Sequence, residues 1–162
     1  MKTPLFAAAL LAGCAGMLGA CGSDPQEAAE QQAPDNALGL SVGNARMILP
    51  AVSGNPGVVY FDIANNSETN YAIRRADIAG SGRTEMHGSM EMAGGQMAMS
   101  ETGQQTVMAG NSFTFEPGGY HLMAFDLSPE LQAGGETEVT LTVNGGDKFS
   151  FDVPIRSAGD DR

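Results

Sequence analysis

The chain has no Trp, two Cys, two His and only eight Lys and Arg against nineteen Asp and Glu, a formal net charge of −11 over 162 residues. So few bases leave no positive surface to release counterions from a phosphate backbone, which excludes nucleic acid as a partner. Two Cys cannot staple a disulfide-dense scaffold, and no long amphipathic helix is written into the sequence. There is no recognisable nucleophile motif, and no thiol beyond Cys21, so an enzyme has little support. The length suits one domain. What stands out is ten Met and twenty-two Gly.

The N-terminus reads as an export signal. Lys2 is followed by the apolar run Leu5 to Leu11 and then by small residues. Both Cys lie here, and the strings Leu11-Ala12-Gly13-Cys14 and Leu18-Gly19-Ala20-Cys21 each resemble a bacterial lipobox. Cys21 is the better lipidation site, because the residues after Cys14 remain apolar whereas those after Cys21 turn polar at once. The expected organisation is a lipoprotein signal peptide over 1–20, a lipid-anchored linker over 21–36, a globular domain over 37–156 and a polar tail over 157–162. The linker carries four acids and nothing to bury. Lipidation implies a membrane-anchored protein of the cell envelope on the periplasmic side. Gly22, standing where an inner-membrane retention signal would need Asp, points to the outer membrane.

Within the domain the signals are strands and turns. Val58 to Ile63 alternates apolar Val59, Phe61 and Ile63 with Tyr60 and Asp62, as a half-buried strand does. Further strands are expected at Tyr71 to Ile78, Arg83 to Met92, Met97 to Ser100, Ser112 to Glu116 and Tyr120 to Leu127. A final hairpin of Glu138 to Val143 and Lys148 to Val153 turns at Asn144-Gly145-Gly146. Short strands with Gly and Pro turns and no intervening helices predict an all-β antiparallel sandwich or barrel.

Six of the ten Met fall between Glu85 and Met108. His121 and Met123, two positions apart on a strand, project from one face and can meet one metal ion. If 93–96 is the loop of the first Met-rich hairpin, Met92 lies opposite Met97 and Met90 opposite Met99, with four thioethers on one face. Thioether sulfur is soft and uncharged and suits Cu(I) rather than Mg²⁺ or Ca²⁺; imidazole adds affinity without an oxidisable thiolate. Blue-copper electron transfer is excluded for want of a Cys in the domain. Met also fills irregular gaps in cores, so packing or a partner-binding surface is the competing reading of the cluster.

Between Val42 and Ile155 the sequence resembles the periplasmic copper chaperone family PCuAC. That family's metal motif runs His, ten residues, Met, twenty-one residues, His-x-Met. Met99 and His121 are separated by twenty-one residues and Met123 completes His-x-Met. Glu116-Pro117-Gly118-Gly119-Tyr120, the Gly57 to Asn65 segment and Glu85-Met86-His87 are also similar to the family. His87 and Met99 are eleven residues apart, one more than the pattern, which a β-bulge at Gly88-Ser89 would absorb while turning His87 toward the metal.

The resemblance implies a cupredoxin-like fold and a metal set of His87, Met99, His121 and Met123. Met86, Met90, Met92 and Met97 are candidate secondary ligands. It also implies an extracytoplasmic carrier that receives Cu(I) and passes it by ligand exchange toward the CuA site of a respiratory oxidase, alongside Sco-type assembly factors. The alternative from a different class is a metal-free surface lipoprotein that binds protein through a Met-rich apolar patch.

Overall fold

The computed structural model describes residues 38–92 and 96–160, with side chains outside 90–97. Cys14, Cys21, the export segment and the whole of the linker lie outside the described residues. Ten strands follow in order: β1 (Leu40–Ile48), β2 (Gly57–Asn65), β3 (Tyr71–Ile78), β4 (Ser81–Met92), β5 (Gln96–Glu101), β6 (Gln105–Val107), β7 (Ser112–Phe115), β8 (His121–Leu127), β9 (Glu136–Val143) and β10 (Lys148–Arg156).

Alternation decides which residues turn inward. In β2, Val59, Phe61 and Ile63 are buried while Val58, Tyr60 and Asp62 are half-buried on the other face; β9 and β10 alternate in the same way. The strands run β5-β4-β8-β2-β1 in one layer, with β7 continuing beside β2, and β10-β9-β3-β6 in the other. The layers join where β1 meets β10, Met47 beside Ile155 and Ile48 beside Arg156. That pairing is parallel, so the sheet is mixed rather than wholly antiparallel as the sequence suggested; the fold is an all-β, cupredoxin-like sandwich. Between the layers Phe61 stacks on Phe115 at 4.3 Å and meets Phe151 of the opposite layer at 5.1 Å. Each such ring contributes roughly 1.5–3 kcal/mol by burial alone.

Every expected strand is present, and the last hairpin turns where expected, with Gly145 and Gly146 both at positive φ. Two strands were not expected. β6 has only three residues, and β1 has broken periodicity. A register shift between Gly43 and Arg46 places Asn44 at φ 53°, and the Asn44 Nδ2 donates to Asp62 Oδ2 at 2.6 Å. Apolar residues therefore fall at 40, 42, 45 and 47, and no single period describes them.

Candidate metal centre

β4 lies between β5 and β8, and this arrangement assembles the site. Against β8, three rungs with the same strand parity succeed one another: Arg83 opposite Phe125, Glu85 opposite Met123, and His87 opposite His121. The intervening residues Met86, Leu122 and Ala124 are buried in the core. His87, His121 and Met123 therefore share the outer face of the layer. The two imidazole centroids are 5.9 Å apart. On the other side of β4, Met99 is paired with Ser89, which puts it on that same face, diagonal to His87. All four residues of the expected metal set are thus gathered on one surface.

Their exposure differs. His121 is 3% exposed although it belongs to the outer face, with Tyr60 of β2 beside it at 6.3 Å between centroids. Met123 is half-buried. Met99 is 59% exposed and forms the open rim. The Arg46 guanidinium lies over the Tyr60 ring at 4.9 Å and extends the same row of side chains toward β1.

Each imidazole is held by a contact that leaves the opposite nitrogen available. The tight turn before β8 has Gly118 at positive φ and closes with the Glu116 N–H donating to the Tyr120 carbonyl. The Gly119 carbonyl accepts from His121 Nδ1 at 3.1 Å. A carbonyl can only accept, so Nδ1 carries the proton and the lone pair lies on Nε2. His87 Nε2 is 2.8 Å from Glu85 Oε2; an ionised carboxylate also only accepts, so the His87 lone pair lies on Nδ1. Burial pushes the His121 pKa below the ordinary imidazole value; the Gly119 hydrogen bond opposes this and the nearby His87 reinforces it. The ring is therefore poised in the neutral form that metals require. Among the described residues no three His, Cys, Asp or Glu form a metal-holding group. Two imidazoles flanked by thioethers form a soft donor set.

The bulge expected at Gly88-Ser89 is absent: pairing runs without interruption through His87, Gly88 and Ser89. His87 faces His121 without one through the β4–β8 pairing, and Met99 joins their face because the hairpin register differs from the expected register by one residue. Met92 pairs with Gln96, Glu91 with Met97, Met90 with Ala98 and Ser89 with Met99. Met90 and Met92 hence occupy strand positions of opposite parity to His87 and Met99, and the expected single face of four thioethers does not form. Met97 shares parity with Met99. Met86 is 7% exposed and belongs to the core cluster, on the face away from the imidazoles. Gly88 has a different purpose from the one expected: a Cβ there would meet Thr102 Cγ2 at 2.9 Å and Tyr120 Cε1 at 3.0 Å. Its bare backbone admits the Tyr120 ring on the Met86 side of β4, the face away from the imidazoles. The sequence reading missed Glu85 as a partner of His87, although its position two residues earlier on the same strand placed it on the same face.

The LpqE-like lipoprotein family matches residues 40–155. No curated protein matches the chain. Among solved structures, the apo PCuAC domain from PmoF1 is 21% identical, with a TM-score of 0.59 over 74% of this chain and 94% of that one. The copper-bound PCuAC domain from PmoF2 is 15% identical, with a TM-score of 0.59 over 74% and 93%. Apo-DR1885 from Deinococcus radiodurans is 18% identical, with a TM-score of 0.58 over 93% and 99%. These likenesses establish the shared fold.

Proposed function

The chain belongs to the LpqE-like family, and from that premise we propose that it is an extracytoplasmic Cu(I) carrier, with His87, Met99, His121 and Met123 as the metal-binding set. The observation that carries this reading is the convergence of both His of the chain with Met123 and Met99 on one sheet face. The donor chemistry fits Cu(I): two neutral nitrogens and two thioethers add no charge and offer nothing that a hard cation prefers. A copper-bound PmoF2 domain among the structural neighbours supports the same ion.

The graded exposure suggests how cargo would enter and leave. His121 and His87 are held by Gly119 and Glu85 before the ion arrives, so little ordering is required on binding. Met99 is at the rim, where an incoming ligand of a donor or acceptor protein can replace its thioether while the imidazoles still hold the ion. Transfer by such exchange keeps copper bound throughout. In this reading the protein is a carrier and not a catalyst. It is anchored through Cys21 at the periplasmic side of the envelope, in the outer rather than the inner membrane, and serves a respiratory oxidase at CuA or its Sco-type assembly factors.

Titration of the purified chain with Cu(I) against a competing chelator tests this directly. The expected result is one tightly bound equivalent, weakened in both His87→Ala and His121→Ala. Weak binding indifferent to both changes would discard the carrier and leave the exposed Met99 as part of a metal-free interaction surface.

A further inference from the structure

We infer that Glu85 is a positioning residue for the metal centre: held by Arg83, its carboxylate keeps the His87 ring in the Nε2–H form and so presents Nδ1 as the donor atom. The inference deepens the copper reading and rests on it.

Three observations carry it. The Glu85 carboxylate accepts from His87 Nε2 at 2.8 Å through Oε2, while its other oxygen, Oε1, takes the Arg83 guanidinium. Both oxygens are therefore engaged, and the carboxylate cannot swing to the metal without breaking one contact. The His87 and Glu85 side chains are only 15% and 18% exposed, so water competes poorly for the hydrogen bond. Arg83 is in turn stacked over the Phe125 ring at 4.0 Å. This extends the support one rung further along the same face, since Arg83 and Phe125 are cross-strand partners.

The sequence makes this chain of contacts possible. Arg83, Glu85 and His87 alternate with inward positions along β4, so all three fall on the outer face. A neutral imidazole left to itself exchanges between two tautomers, and only one of them offers the lone pair on a given nitrogen. A carboxylate bound to the far nitrogen selects the tautomer, fixes the ring plane and strengthens the near nitrogen as a donor. His121 obtains the same service from a backbone carbonyl, Gly119. The two imidazoles would thus donate through different nitrogens, Nδ1 from His87 and Nε2 from His121.

The test combines ring nitrogen-15 NMR of the apo chain, at a pH near 8 where a free imidazole is neutral, with Cu(I) competition on the same samples. The variants are Glu85→Leu, which removes the acceptor, and Glu85→Gln, which keeps the shape and one acceptor oxygen and guards against misfolding. The wild type should show His87 as the Nε2–H tautomer, Glu85→Leu a mixture and Glu85→Gln an intermediate state. Cu(I) affinity should fall in the same order, by roughly 10–100-fold for Glu85→Leu. An unchanged His87 tautomer in Glu85→Leu would overturn the inference, as would an affinity loss in Glu85→Gln with the tautomer intact, which would mark Glu85 as a direct ligand. If the wild type binds no Cu(I), the copper reading fails and the role given to Glu85 fails with it; the spectra then show only whether the ring is held.

Discussion

His87 and His121 face one another as direct cross-strand partners of β4 and β8, their rings 5.9 Å apart and tilted by 39°. One is nearly sealed from solvent and the other lies nearer the surface, so the pair joins a fixed, buried donor to a more accessible one. Met123, one rung away, and Met99, diagonal across β4, complete the outer-face set.

Changing one thioether at a time should separate ligands from packing. Met99→Leu and Met123→Leu preserve volume while removing sulfur, and each should weaken Cu(I) by at least about tenfold, or roughly 1.4 kcal/mol. Met86→Leu, in the core and facing away, should leave affinity unchanged and alter stability by less than about 1.5 kcal/mol. Chelator competition and urea unfolding measure the two effects. A copper defect in Met86→Leu would contradict the face assignment.

Acid should destabilise the fold through His121. Its pKa is lowered in the folded state, chiefly by burial, so the unfolded chain binds this proton more readily than the native one. The contribution of the neutral ring is complete above the ordinary imidazole value of about 6.5, and is lost as pH falls from there through the lower folded value. Unfolding free energy measured against pH should show this slope in the wild type and a shallower slope in His121→Gln. Equal slopes would remove His121 as the source.

Gly88 should tolerate no side chain without cost. Ala at this position forces Thr102 or Tyr120 to move, and the expected loss is about 1–3 kcal/mol, larger for Val. Tyr120 directly precedes His121 in the chain, so displacing it in Gly88→Val should shift the His121 backbone and lower the Cu(I) affinity as well. Thermal unfolding and copper competition on the two variants check this; wild-type values for both would show that the ring is free to shift.

The core beneath the site should be sensitive at Phe61. This residue stacks on Phe115 and reaches Phe151 across the layers, and Phe61→Ala should cost about 3–5 kcal/mol. Phe61→Leu should cost less. Denaturant midpoints of the two variants measure the difference, and a loss under about 1 kcal/mol for Ala would mean that the layers close around the gap.

Much of this architecture is legible along the chain. Strands such as β2, β9 and β10 bury every second residue, and a period of two survives any choice of neighbour. β1 is different: its bulge at Asn44 shifts the apolar positions by one, so a local period cannot be followed through it. The candidate ligands were legible through residue type and spacing, with Met99, His121 and Met123 matching the PCuAC pattern. The face shared by Met97 and Met99 was not. Whether they lie with Met90 and Met92 or with His87 depends on whether three or four residues separate β4 from β5, and a one-residue change in register moves every β5 side chain to the other face of β4.

By itself, the sequence determined the alternation of the strands, the soft character of the donors and the scarcity of bases, because each is a property of residue type and near-neighbour order. Only the tertiary structure decided which donors meet. Inserting β4 between β5 and β8 sets two registers at once, and those registers bring His87 to His121, Glu85 to Met123 and Ser89 to Met99. No local rule specifies pairings between distant strands. They follow from burying Met86, Leu122 and Ala124 in one core, which leaves the opposite face of the same strands to carry the donors.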